Sequence, residues 1–332
     1  MMKAEMKSQM KRRITVMSKK FYINVQGGTG LNLGLASFIS YIKTEGDDNG
    51  NKDYEFYVAS PYFDIFESCP YVDGVYKPQE LRDLIFDANA YGGELILHRL
   101  YDMDGFVKKE LNYSQAWAKL MNIPFTDTDK GTKVKSYLTP FVKYGTLKNF
   151  VDQVQKELNG KKFVIMQFWG GQSPLVQVPN GDWSKVNYDY VNEPLKRHYP
   201  VEKATEFVKL YKAAHPDTEI LLYSLPNEPN IDDTKKYIFP YLTYYELAKL
   251  PECKGIVAID SSLQHLTAGL KPSVIIWGHS KPEHFGYSYN RNIEQPCRTN
   301  DLLYFSALGP SGAKVQYIEP SELLSIVEEE IN

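Results

Sequence analysis

The sequence predicts an α/β protein made of two parallel-sheet halves that face each other across a cleft. Three observations carry this. Short apolar strands alternate with helical patterns, which implies parallel strands joined by crossover helices. The alternation lapses over residues 126–160, where Gly131 and Gly145 interrupt a weak periodicity, and restarts at Lys162. The chain has 332 residues, roughly two domains at about 150 residues each. The expected division is a basic arm over 1–20, a first half over 21–155 and a second half over 156–332.

The elements follow in order. Residues 21–26 (FYINVQ) form a short apolar strand that runs into the glycine turn Gly27-Gly28-Thr29-Gly30. Residues 31–43 read as a helix, 54–60 as a second strand and 94–97 as a later one. In the second half, strands are expected over 162–168, 219–224, 255–259 and 273–277. Helices are expected over 201–214, 243–250, 261–270 and 322–331. The 201–214 helix shows Ala204, Phe207, Val208 and Tyr211 at the i, i+3, i+4, i+7 spacing of a buried face. Ligands of open α/β sheets bind at the carboxyl ends of the strands, so two such halves place a cleft between those ends.

Composition narrows the function. With 43% hydrophobic and 24% charged residues, the chain belongs with ordinary globular proteins. A net charge of −3 from 38 basic and 41 acidic residues argues against a general nucleic-acid coat. Cys69, Cys253 and Cys297 lie far apart, which disfavours a disulfide framework or zinc site and fits a reducing cytosol. No apolar run approaches the roughly 18 residues of a membrane span. The basic start lacks the apolar core of a secretory signal, and Met17 offers a second start just before the first strand. The expected location is cytoplasmic, with peripheral attachment at the inner membrane surface as the alternative. The 25 tyrosines are a surplus that either fills half-buried positions or stacks on ligands.

The most informative segment is Asp260-Ser261-Ser262-Leu263-Gln264-His265-Leu266-Thr267-Ala268-Gly269-Leu270-Lys271-Pro272. A buried strand ends at Asp260 and a helix starts at once. Leu263, Leu266, Thr267 and Leu270 form its core stripe, and His265 points away from that stripe. Ser261 and His265, at i and i+4, share a face. Asp260 is a candidate helix cap, and Ser261 and Ser262 bring hydroxyls beside free backbone N–H groups. This arrangement suits an anion or a hydroxyl ligand.

This segment resembles the Asp-Ser-Gly-x-x-His-x-Ala-x-Ala signature, closed by Pro, of the heptosyltransferase family, glycosyltransferase family 9. Ser262 replaces the usual Gly, Thr267 and Gly269 stand where Ala is common, and Pro272 comes about one residue early. Other segments agree in order. Residues 21–34 resemble the family's first strand and glycine turn, and Cys69-Pro70-Tyr71-Val72-Asp73-Gly74-Val75 its Asn-Pro-Tyr-Val-Asp-x-Val. Residues 167–171 with Lys196-Arg197-His198-Tyr199-Pro200 resemble its opening second-domain strand and Lys-x-Trp-Pro element. Residues 242–248 resemble the helix before the signature strand. The likeness runs from about residue 21 to 331.

The resemblance implies a GT-B fold, two Rossmann-like domains across a cleft, and an inverting, metal-independent sugar transfer from a nucleotide-diphosphate sugar. No cofactor is expected beyond that co-substrate. Fixed donors must then stabilise the diphosphate leaving group. The implied donor-side residues are Gln167, Gly170, Gly171, Lys196, Arg197, Tyr244, Glu246, Asp260, Ser261, Ser262 and His265. Arg197 falls at the family's phosphate-binding Lys and keeps its charge. Gly28, Thr29, Gly30 and Asp104 are implied on the acceptor side. Tyr199, Tyr244, Tyr245 and Tyr101 are the tyrosines expected to stack on ligands.

One departure bears on the chemistry. The family carries an Asp just after the first glycine turn as a candidate base, whereas this chain has Asn32, whose amide hydrogen-bonds but takes no proton. The substitute expected from sequence is Asp102, with His98 and Asp104 behind it, in a loop at the mouth of the 94–97 strand. Asp102-Met103-Asp104 mimics a metal-binding Asp-x-Asp. Asp127-Thr128-Asp129 matches as well, which marks a chance motif, and no metal is predicted. Gly28-x-Gly30-x-x-x-Gly34 is one residue too long for a dinucleotide fingerprint and no acidic residue ends the second strand, so a dehydrogenase is disfavoured. The acceptor stays open between a glycan, a lipid-linked sugar and a modified nucleobase, the last as in a phage-type DNA-base glycosyltransferase. A non-catalytic nucleotide-sugar-binding protein and an epimerase are the alternatives to transfer.

Overall fold

The computed structural model describes residues 18–331, apart from 109, 128–130, 171–197, 227, 279 and 296–314. Its elements in chain order are β1 (Lys19–Asn24), α1 (Thr29–Thr44), β2 (Tyr54–Ala59), β3 (Gly74–Tyr76), α2 (Leu81–Tyr91), β4 (Glu94–Ile96), α3 (Tyr113–Leu120) and α4 (Leu147–Leu158). They continue with β5 (Phe163–Gln167), α5 (Val201–Ala214), β6 (Glu219–Leu222), β7 (Lys235–Lys236), α6 (Leu242–Lys249), β8 (Cys253–Ile259), α7 (Ser262–Leu266), β9 (Ser273–Trp277), β10 (Arg291–Glu294) and α8 (Pro320–Ile331). Short helices at Phe63–Glu67, Pro140–Lys143 and Pro282–Phe285 fill connections.

Two sheets result, with orders β3-β2-β1-β4 and β10-β9-β8-β5-β6-β7. Every strand pair in them is parallel. The strand order reverses at β1/β4 in the first sheet and at β5/β8 in the second. Such switch points open a crevice at the carboxyl ends of the strands. The glycine turn after β1 and the loops after β5 and β8 therefore sit where ligands bind in this architecture.

β1 begins at Lys19, inside the stretch read as a basic arm, because Lys19 and Lys20 pair with Tyr54 and Glu55 of β2. The expected boundary at 155/156 falls inside α4, an amphipathic helix with Leu147, Val151, Val154 and Leu158 buried. The edge strands β7 and β10 were not expected; they read KK and RNIE and carry no apolar run to mark them.

Alternation along the strands sorts side chains into layers. Phe21 and Ile23 join a large core that extends to Phe163 and Ile165 of the second sheet, while Tyr22 packs on the other face with Ala59, Leu84 and Ala88. Val164 and Met166 face outward onto Phe207, Val208 and Tyr211 of α5 and onto Leu323 and Val327 of α8.

The segment after α3 straps the halves together. Thr132 N–H donates to the Gly286 carbonyl at 2.9 Å, and Ser288 N–H donates to the Thr132 carbonyl at 3.0 Å. Ser136 N–H reaches the Ala268 carbonyl at 2.9 Å. The Thr132 hydroxyl also meets that of Ser114 on α3 at 2.6 Å, which ties the strap to the first half.

Candidate functional site

The site grows from four strand ends. β5 runs into Gln167, 3% exposed, whose Oε1 has no hydrogen-bond partner. Gly170 follows at φ +143, a conformation suited to glycine. A Cβ there would lie 2.7 Å from Gln167 Nε2 and 2.9 Å from Ser261 Oγ. Gly170 thus lets the β5 loop nestle against the β8 loop. The His198 ring meets it too, with Nε2 2.7 Å from the Gly170 carbonyl.

β8 delivers Asp260, Ser261 and α7. Asp260 does not cap the helix as expected. Its Oδ1 accepts from Gln264 Nε2 at 2.7 Å and its other oxygen accepts from the Ser280 hydroxyl. The cap position is Ser261, with no side-chain cap bond. The helix stops at Leu266, not 270: the Thr267 hydroxyl bonds back to the Leu263 carbonyl at 2.9 Å, and Gly269 turns left-handed at φ +75. The Ser262 hydroxyl lies 3.3 Å from that of Tyr223, the first residue past β6. Burial pushes the Tyr223 phenol up to about 12, so it stays a protonated donor.

His265 departs most from the helical-wheel reading. It points away from the Leu263 stripe, yet it is buried at 5% exposure because the first half covers it. A Cβ on Gly30 would lie 2.8 Å from His265 Cδ2, and its ring centroid is 5.7 Å from that of Tyr113. His265 Nδ1 is 3.0 Å from the Tyr287 hydroxyl. The anion-type loop of the second half and the glycine turn of the first are therefore in direct contact.

On the first half, Gly28 caps α1 in extended conformation, and Thr29 and Gly30 open its first turn, all half-buried. Asn32 is corrected as a site residue. It is fully buried, its Nδ2 donates to the Gly28 carbonyl at 2.9 Å, and its Oδ1 accepts from Ser60 at 2.6 Å. Its amide holds the turn in place and does not face the cleft.

The 98–104 loop lies at the mouth of β4 as expected, with His98, Asp102 and Asp104 exposed. Asp102 Oδ2 accepts from Arg99 Nε and Oδ1 from Arg99 Nη2, both at 3.1 Å. Those bonds hold its carboxyl below the ordinary value, which makes it a weaker base. Asp104 pairs with Lys108 at 3.1 Å.

Three of the four tyrosines expected to stack are packing residues. Tyr199 is buried and donates to the Ile318 carbonyl at 2.9 Å. Tyr244 is buried and donates to the Tyr237 carbonyl at 2.8 Å. Tyr245 is buried, and its hydroxyl accepts from Leu138 N–H at 2.8 Å. Only Tyr101 is exposed, at 38%. Glu246, on α6, is buried and paired with Lys249 at 2.8 Å. Gly171, Lys196 and Arg197 lie outside the described residues. Sequence reasoning missed Tyr223, Ser280, Gln264, Tyr287 and Tyr113; only Tyr223 carried a signal, its place near the end of the strand expected over 219–224.

Among the described residues, no group of three or more His, Cys, Asp or Glu side chains is gathered as a metal site. No described helix is long and apolar enough to cross a membrane.

No protein-family model matches the chain, and no curated protein is significantly similar to it in sequence. Solved structures do match. A glycosyl transferase family 9 protein from Veillonella parvula superposes with a TM-score of 0.61 at 10% identity, over 95% of this chain and 97% of that one. The E. coli ADP-heptose lipopolysaccharide heptosyltransferase II gives 0.59 at 12% identity, over 94% and 98%. E. coli heptosyltransferase WaaC with ADP gives 0.51 at 12% identity, over 93% and 99%. At these identities the likeness shows the fold. It is the GT-B architecture that the signature segment implies, across nearly the whole chain.

Proposed function

We propose that the chain is an inverting, metal-independent glycosyltransferase that moves a sugar from a nucleotide-diphosphate sugar to a hydroxyl acceptor. One observation carries the reading. The switch-point loops of the second sheet, Gln167 to Gly170 and Asp260 to His265, converge on each other and on the glycine turn of the first sheet. That is where a donor held by one half meets an acceptor held by the other.

In this reading the Ser261 and Ser262 hydroxyls, with the Tyr223 phenol behind them, hydrogen-bond the diphosphate or the sugar. A set of fixed donors needs no rearrangement as charge develops on the leaving oxygen. Lys196 and Arg197 are the proposed cations that would offset the charge of the diphosphate. Asp260 acts by fixing Gln264 and Ser280 around the β8 loop. Gly28, Thr29 and Gly30 allow close approach of the acceptor. The neighbours described with ADP and ADP-heptose make an ADP-sugar the first donor to try.

A second reading has one observation in its favour. The first turn of α1 holds no acidic residue and Asn32 is buried, so a non-catalytic nucleotide-sugar-binding protein keeps the same donor site without a base there.

A thermal-shift screen of ADP-, UDP-, GDP- and dTDP-sugars tests the reading. Donor at about 100 times its Kd adds about 2.7 kcal/mol of stability. Nucleotide release with EDTA present, and an inverted anomeric centre by NMR, are the expected follow-up results. Binding without release supports the non-catalytic reading, and an altered sugar still on its nucleotide supports an epimerase. No shift with any donor overturns both.

A further inference from the structure

We propose that the two halves are welded into one rigid body, so that ligands come and go while the halves stay in contact. The inference concerns the whole chain and stands apart from the transferase reading. Parts of one chain swing against each other when the surface between them is small and polar; a large apolar surface holds them together.

Here that surface is apolar and sealed. Phe106, in the short helix Asp104–Val107 of the first half, reaches across to the second. Its ring centroid is 5.6 Å from that of His284 and 5.7 Å from that of Phe285. Tyr113, which opens α3, is 5.5 Å from Phe285 and 5.7 Å from His265. None of these five side chains is more than 6% exposed. Tyr113 also covers α1, where a Cβ on Gly34 would lie 2.6 Å from its Cε1. The rings therefore run from α1 through α3 to α7 and to Pro282–Phe285. They belong to a core that includes Phe21 of the first sheet and Phe163 and Trp277 of the second. Parting the halves would put these rings in water, which the hydrophobic effect opposes.

The strap is held from both sides. The Val134 carbonyl accepts from the Tyr289 hydroxyl at 2.8 Å, and Leu138 N–H donates to the Tyr245 hydroxyl at 2.8 Å, both in the second half. Thr139 N–H donates to the Ser68 carbonyl at 2.7 Å in the first. A hinge needs a few residues that can change φ and ψ freely. Gly131, at φ +109, has that conformational range but is packed: a Cβ there would lie 2.9 Å from the Gly286 carbonyl oxygen.

Spin labels on the whole chain test the weld. Asn89→Cys on α2 and Lys209→Cys on α5 are exposed sites in the two halves. Cys69 and Cys253 are buried and stay, and Cys297 is replaced by Ser. Double electron–electron resonance should give a single narrow distance distribution, with no shift in excess ADP, UDP, GDP or dTDP. A second population in the nucleotide-free chain, or a shift with any nucleotide, overturns the proposal. Adding Phe106→Ala and Phe285→Ala should broaden the distribution toward longer distances; a distribution as narrow as before means that the rings are not the weld. Hydrogen exchange of the chain without substitutions needs no variant to fold. The Thr132, Ser136 and Leu138 amides should be protected as strongly as those of β5, as in one cooperative unit. Protection well below that of β5 shows the halves parting before the core unfolds, and also overturns the proposal.

Discussion

The imidazole of His265 and the hydroxyl of Tyr287 meet at 3.0 Å, with both side chains buried. Burial keeps the Tyr287 phenol protonated by raising it well above its ordinary value. The pair holds the His265 ring in one orientation against Gly30. Tyr287→Phe should cost about 1 kcal/mol, the worth of a typical internal hydrogen bond. Urea unfolding reads the stability, and ¹⁵N NMR of the imidazole should show a changed tautomer ratio. An unchanged ratio would mean the contact does not orient the ring.

Gly30 and Gly28 should respond differently to the same change. A Cβ at Gly30 meets His265 Cδ2 at 2.8 Å, whereas nothing lies within 4 Å of one at Gly28. Overpacking costs about 1 to 3 kcal/mol, which outweighs the roughly 1 kcal/mol that Ala gains over Gly inside a helix. Gly30→Ala should therefore lower the unfolding midpoint and Gly28→Ala should leave it near wild type. Paired denaturation curves decide this.

Restoring an acid at position 32 should not restore a base. Asn32→Asp would set a buried carboxylate oxygen against the Gly28 carbonyl, where an amide N–H now donates. Leaving a buried group unsatisfied costs about 1 to 3 kcal/mol, and more when it is charged. Stability should fall at pH 7.5 and recover partly at pH 5, where the carboxyl is protonated and can donate again. Urea curves at the two pH values test this, and equal loss at both would contradict it.

Glu228 should give stability a pH slope. It is buried at 7% exposure in the loop after β6, and burial raises its carboxyl from 4.5 to about 7. Lys236 nearby opposes that rise, and the Glu228 carboxyl accepts from Leu225 N–H at 2.6 Å. Between those two values the folded chain keeps a proton that the unfolded chain has lost. Its contribution is therefore full below about 4.5 and is lost as pH rises to about 7. At about 1.4 kcal/mol per pH unit over a span of about 2.5 units, the loss is on the order of 3 to 4 kcal/mol. Glu228→Gln can still accept from Leu225 and should flatten that slope; a slope like wild type would place its origin elsewhere.

The sequence by itself determined the layered α/β class, the restart of the pattern after residue 160, and the strand-to-helix turn at Asp260. It also determined the turn at Gly28 to Gly30. Each rests on periodicity or turn chemistry within a few consecutive residues, which the chain carries locally. Only the tertiary structure decided what those residues touch. The helical wheel correctly turned His265 away from the Leu263 stripe, but a second surface, Gly30 with Tyr113 and Tyr287, waits there. Tyr199, Tyr244 and Tyr245 likewise carry no local mark of their buried carbonyl and N–H partners. Asn32 could be read as a missing base, but its bonds to Gly28 and Ser60 appear only once β1 and β2 lie side by side. Local patterning reports which face of an element avoids water; it does not report which distant element supplies the cover.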